Sequence, residues 1–438
     1  MARIIVIGAG LGGLASAARL AKQGHDVALL EASDRLGGAI APVEQDGFTW
    51  DGGPTSTLLP AALRDLFRKT GRPLETELGA DLEPMPVLRE HRFADGTSVQ
   101  LPGGSRAAQI TAFDELGAGL GEKWVSHVDR YAEVWERLRK HYVEAPWHPD
   151  RPDGVPRELA ELFAIRETLH KRLRHDFRDE RLALVAGFPH VNAGHDLRNV
   201  PSWAGVDVYL EQCFGGWRVP GGFRRVRDLL AARMATRKVT VRTGVRVEDL
   251  VVRDGRVAGV RTDEGDADAD QVVVAIDPRR LPALARHVER TMPAIPPVVS
   301  HLGLAGEIPE ITQDVVIHAE PMIIVRPNGT APDGHTAWTL HGRGKIAEDL
   351  LTALARHKID VRDRIVSQVD LSPREQVERW NGSPMGVLWQ GRSTVRHRLG
   401  PATPIAGVYV AGAHGAPGAG VPMVTQSAAL VAQLIGPA

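Results

Sequence analysis

The sequence predicts an α/β fold: a Rossmann-like dinucleotide-binding domain assembled from separated segments, joined to a second domain of mixed α+β character. Three observations predict it. An apolar run, Ile4-Ile5-Val6-Ile7, leads directly into Gly8-Ala9-Gly10-Leu11-Gly12-Gly13. An alanine-rich run then extends to Lys22, and a second apolar run, Val27-Ala28-Leu29-Leu30, ends in Glu31. Short, wholly apolar runs typical of buried parallel strands recur far away, at Val272–Ile276 and Val408–Ala411.

The glycine string is weak evidence by itself. With 46 glycines in 438 residues, roughly 0.5 matches to GxGxxG arise by composition alone. Context strengthens it. A strand run stops at Gly8, and Leu14 to Leu20 is good helix material. Gly8 would make the tight turn, Gly10 would let the backbone approach a pyrophosphate, and Gly13 would let helix and strand pack closely. The free N–H groups of the helix N-terminus would face the anion. Glu31 follows the last glycine by the interval at which a carboxylate can bond ribose hydroxyls.

Residues 1–75 read as the first βαβ unit, followed by a loop carrying Asp51-Gly52-Gly53-Pro54. Residues 85–105 read as short strands with a turn at Asp95-Gly96. Helical patterning runs from Thr111 to Leu184, interrupted by a Pro/Asp/Gly-rich break from Pro146 to Pro156. A helix over Val226–Met234 leads into strands at Val239–Val241, Val245–Val252 and Val257–Val260. Residues 295–345 are strand-rich, Glu348 to Val369 is expected to be helical, and the chain closes with a helix over Pro422–Leu434. The division expected is a cofactor domain from 1–75, 216–294 and 396–438, with a substrate domain from 76–215 and 295–395.

Composition narrows the function. The chain is 43% hydrophobic and 24% charged with a formal net charge of −1, which argues against a nucleic-acid partner. Its one cysteine, Cys213, excludes an internal disulfide and a multi-cysteine metal site and fits a reducing, cytoplasmic setting. The 17 histidines show no HExxH arrangement, so no metal is expected. The first strand begins too early for a signal peptide ahead of it, and no run approaches about 18 apolar residues, so no spanning helix is expected. Contact with a membrane surface needs only an apolar patch and stays open.

Several separated motifs resemble the flavin-dependent desaturases of the phytoene desaturase (bacterial carotenoid desaturase) type, within the amine oxidase-like flavoprotein superfamily. They are the opening unit with its Arg35-Leu36-Gly37-Gly38 tail, Phe48-Thr49-Trp50-Asp51-Gly52-Gly53-Pro54-Thr55, and Tyr209-Leu210-Glu211 with Gly215, Pro220, Gly221 and Gly222. The last is Tyr409-Val410-Ala411-Gly412 with Pro417-Gly418-Ala419-Gly420-Val421-Pro422 and Ser427. The resemblance covers about half of the chain. The chain is shorter than typical carotenoid desaturases, and Ala416 stands where the family often has a histidine, with His414 two residues earlier.

The resemblance implies noncovalent FAD. Gly8, Gly10, Gly12 and Gly13 would hold the pyrophosphate, and Glu31 and Ala32 would lie at the adenosine ribose. Arg35, Gly37 and Gly38 would run beside the pyrophosphate or flavin, and Val247 would meet the adenine. Gly412 with Val421, Pro422 and Met423 would set a helix N-terminus near the flavin pyrimidine. The reaction implied is dehydrogenation of an apolar or amphipathic small molecule by hydride transfer to flavin N5. His190 and Arg166 are the candidate catalytic residues, with His195 beside them. Two alternatives stay open: an amine or amino-acid oxidase, for which Trp389 and Arg392 speak, and a non-catalytic flavin-binding protein.

Overall fold

A computed structural model describes residues 1–146 and 155–438. Five parallel strands form the first sheet, in the order Val408–Val410, Gln271–Val274, Arg3–Ile7, Asp26–Glu31, Thr240–Thr243. In register, Val6 lies between Val273 and Leu29. The period-two alternation of strands explains why the opening run is apolar throughout. Ile4 and Val6 face the helices Leu11–Lys22 and Val421–Ile435, meeting Leu14, Ala18, Ala428 and Val431. Ile5 and Ile7 face the other way, against Val247, Leu250 and Val260 of an antiparallel three-stranded sheet. That sheet comprises Val247–Arg253, Arg256–Thr262 and Gly265–Asp268. The parallel sheet thus draws its strands from the start, the middle and the end of the chain.

A second, seven-stranded sheet has the order Ile365–Leu371, Val298–Ala305, His335–Arg343, Met322–Arg326, Val315–Ile317, Val87–Arg92, Ser98–Pro102. It is antiparallel except where Val315–Ile317 runs parallel to Val87–Arg92. The hairpin Pro42–Gln45/Phe48–Asp51 joins the two regions. It pairs with Gly329–Thr330, and the buried Trp50 indole donates to the Leu302 carbonyl at 3.2 Å. Helices between Arg106 and Phe214 make a separate core around Trp124, Phe113 and Phe163.

One expectation is corrected. The stretch Glu348–Val369 is not one helix. Only Leu350–Arg356 is α-helical, and Ile365–Leu371 is an edge strand whose side chains alternate between buried and exposed. Ile365-Val366-Ser367-Gln368-Val369 carries no two-residue alternation of apolar and polar types, because Ser367 is buried and Val366 exposed in the strand. The break from Pro146 to Pro156 falls mostly on residues outside those described. Cys213 lies exposed on the helix Asp207–Phe214. Among the described residues, no helix is long and apolar enough to cross a membrane.

Candidate functional site

A cavity of about 930 Å³ opens at the carboxyl ends of the parallel strands and runs to the second sheet and the helical region. Binding at that end of an open α/β sheet is the general rule, because the turns there present backbone N–H groups and helix N-termini.

The near wall is the glycine turn. Gly8 takes φ +93°, which an L side chain resists, and its N–H donates to the Leu30 carbonyl at 2.8 Å. A Cβ on Gly13 would lie 1.8 Å from the Gly8 carbonyl oxygen, so only glycine lets the helix approach its own turn this closely. A Cβ on Gly10, by contrast, would meet nothing within 4 Å, so the surface there is open to a ligand. Gly10 caps the helix Leu11–Lys22 with no side-chain acceptor, which leaves the first N–H groups of the helix free for an anion. Glu31 is held firmly. Its Oε2 accepts from the Ala9 N–H at 2.7 Å, and its Oε1 accepts from the Ser33 N–H and hydroxyl at 2.9 and 2.8 Å. A second helix N-terminus arrives from the chain end. Gly412 donates to Ser427 Oγ at 2.8 Å, which ties the last strand to the helix Val421–Ile435. That helix also lacks a side-chain cap.

Of the residues expected from sequence, Gly8, Gly10, Gly12, Glu31, Ala32, Arg35 and Gly38 line this cavity. So do Val247, Gly412, Val421, Met423 and His190. Gly13, Gly37 and Pro422 sit just behind the wall. Gly13 packs under Gly8, Gly37 donates to the Ala9 carbonyl at 2.8 Å, and Pro422 occupies the first turn of its helix. Arg166 is a correction: it is solvent-exposed and does not reach the cavity. Arg392 is likewise turned away, donating to the Ala164 carbonyl at 2.7 Å.

The far wall is made of side chains from remote segments. His190 Nε2 bonds the Ala204 carbonyl at 2.9 Å and stands 3.9 Å from the Asp207 carboxylate. The ring of His195 lies 5.9 Å from that of His190. Burial, reinforced by the charges of His190, Arg398 and Arg343, pulls the His195 pKa down to about 3, so this imidazole is neutral at pH 7. Burial raises the pKa of Asp207. Trp203 and Trp389 meet edge to face at 5.5 Å. His414 is buried between Asp277 and Arg279, at 3.8 and 3.2 Å, and burial pulls its pKa down to about 4. Asp207, Trp203 and Arg398 were not singled out from sequence. Trp203 and Asp207 lie close together on the contiguous helical turns Ser202–Val206 and Asp207–Phe214, but no local spacing links them to Arg398.

The cradle fits a dinucleotide: an open glycine surface, two uncapped helix N-termini and an anchored carboxylate. A family profile described as "Flavin containing amine oxidoreductase" matches residues 11–436. A zeta-carotene-forming phytoene desaturase of Myxococcus xanthus is 32% identical over 63% of this chain, and the match spans 53% of that relative's length. A hydroxyneurosporene desaturase of Cereibacter sphaeroides is 27% identical over 99% of this chain and 97% of the relative. A redesigned putrescine oxidase shares the fold, with a TM-score of 0.69 at 16% identity over 99% of this chain and 98% of that one. These findings bear out both the α/β fold class and the desaturase-type resemblance read from the motifs. They identify a flavin-dependent oxidoreductase, and the chain belongs to the flavin containing amine oxidoreductase family.

Proposed function

We propose that the protein binds FAD noncovalently along the glycine wall and desaturates or dehydrogenates an apolar or amphipathic organic molecule. The observation that carries this reading is the division of one cavity into a backbone-built cradle and an aromatic far wall. Bound flavin would supply an acceptor at N5 for a hydride from a substrate C–H bond. Gly10 and the N-terminus of Leu11–Lys22 would hold the pyrophosphate, and Glu31 would accept from the adenosine ribose. Val247 would lie at the adenine and Arg35 beside the phosphates. Val421 and Met423 would offer backbone N–H groups, and the dipole of their helix, to negative charge on the ring. Trp203, Trp389 and Leu138, which also lines the cavity, would exclude water and orient the carbon to be oxidised. His190 and Asp207 are the groups placed to take the accompanying proton. The cofactor region would comprise 1–75, 216–294 and 396–438, and the substrate region 76–215 and 295–395. The protein would be cytoplasmic, and a surface association with membranes would suit an apolar substrate.

The Trp203–Trp389 pair favours a second reading, an amine oxidase, because aromatic faces can frame an amine. Anaerobic mixing with candidate substrates separates the two. Bleaching of the flavin by polyene or long-chain compounds and not by simple amines is expected. Bleaching by amines alone would overturn the desaturase reading.

A further inference from the structure

Among the described residues five arginines are buried, and they differ in how their charge is met. Arg19 pairs with Asp65 at 2.8 Å, Arg89 forms two bonds of 2.8 Å with Glu211, and Arg233 pairs with Glu77. Arg343 has no carboxylate, but the carbonyls of Asn192 and Ile295 hold its guanidinium. Arg398 is the exception. It is 6% exposed, and it alone of the five lines the cavity. Its Nη1 donates to the Pro417 carbonyl at 3.2 Å, its other side-chain partner is the Tyr142 hydroxyl, and its Nε has no partner. Among the described residues no carboxylate forms an ion pair with it: Asp277 holds Arg279 at 2.9 Å and Asp314 holds Arg326 at 3.3 Å.

A guanidinium stays charged in proteins, and a buried charge without a counter-ion is costly. The stacking partner Trp389, 5.7 Å from Cζ, offsets little of that cost. The neighbouring imidazoles of His195 and His414 are neutral at pH 7 and supply no anion. An incoming anion would complete the site. Planar carboxylates match the guanidinium fork, which gives such a pair both strength and orientation.

We infer that Arg398, with Tyr142 and Trp389, is the binding site for a carboxylate at one end of the substrate's apolar chain, so that the substrate class is an amphipathic acid. This rests on the flavin-dependent reading above and names its substrate class. It disfavours a cationic amine, which Arg398 would repel.

The test uses the flavin-loaded protein, with oleic acid and methyl oleate as probes and the visible flavin band as the reading. Wild type is expected to bind the acid at least about tenfold more tightly than the ester. In Arg398→Gln the acid should lose its advantage over the ester, so that the ratio of the two affinities falls to about one, and Arg398→Lys should keep part of the preference. Equal binding of acid and ester by wild type would overturn the inference, whether or not the variants fold. So would a preference that survives in Arg398→Gln. A shift in the flavin reduction potential of Arg398→Gln with an unchanged preference would assign the cation to the cofactor and overturn it too. If no flavin is retained, the cofactor reading fails, and equilibrium dialysis of the two probes still decides the acid preference.

Discussion

The two walls of the cavity are built by different means. The glycine wall is made of backbone: the turn Gly8–Gly13, the free ends of two helices, and one carboxylate anchored to main-chain N–H groups. The far wall is made of side chains, His190, His195, Trp203, Trp389 and Arg398, which come from two stretches far apart in the chain, 190–203 and 389–398. A backbone site requires a fixed local sequence. A side-chain site requires only that a fold bring the groups together. The first can be inherited by a whole family, while the second can be changed residue by residue to suit a substrate.

The largest expected effect is acid unfolding, and it should originate away from the glycine wall. His195, His301 and His318 have pKa values pulled down by burial to about 3, 4 and 4. Each is neutral when folded below pH 6.5, where the unfolded chain takes up a proton. Their stabilisation is therefore full above pH 6.5 and is lost as the pH falls through the folded values. Each contributes a slope of up to about 1.4 kcal/mol per pH unit. Asp51 opposes them. Burial raises its pKa to about 6, so its contribution is present below the unfolded value of 3.8 and lost as the pH rises through 6. His414, His91 and His341 are pulled down by burial in the same sense, and Asp207 and Asp314 are raised with Asp51, so six imidazoles against three carboxyls leave a net loss of stability between pH 6.5 and 4. Denaturant titrations across that range should show it, and His318→Gln should flatten the curve. A flat wild-type profile would contradict the assignment.

Next comes Gly13→Val. With no room for a Cβ against the Gly8 carbonyl, it should cost at least about 3 kcal/mol and abolish flavin retention, read by thermal unfolding and by flavin content after gel filtration. A variant that keeps its flavin would show that the turn is not the cradle. Glu31→Gln is gentler. It keeps the shape and removes the charge, so FAD binding should weaken about tenfold, or about 1.4 kcal/mol, with the fold intact by circular dichroism. The smallest effect should come from Arg166→Ala, which lies off both walls. Stability should change by no more than about 0.5 kcal/mol, and flavin content and turnover should match wild type.

The same contrast explains what the sequence disclosed. Gly8, Gly10, Gly13 and Glu31 were legible because strand, turn, helix and second strand are contiguous and each residue type answers a backbone requirement. The last segment was legible for a similar reason, since Val408–Val410 feeds a glycine-rich turn into a helix. Arg166 was misread because a charged residue near a helical region carries no signal of where it points. Asp207 and Arg398 were invisible because a single charged residue carries no sign of burial: Asp207 gains its meaning from His190, and Arg398 from Tyr142, Trp389 and Pro417, which only the fold brings together. The strand Ile365–Leu371 was mistaken for helix because its edge position leaves it half polar.

The central claim is that the glycine wall is an FAD cradle and that FAD is held there without a covalent bond. Acid or heat denaturation of the purified protein, followed by chromatography of the supernatant, tests it directly. The expected result is free FAD close to one per chain. Protein that carries no flavin after FAD is supplied during refolding or expression, or flavin that stays with the precipitated chain, would contradict it.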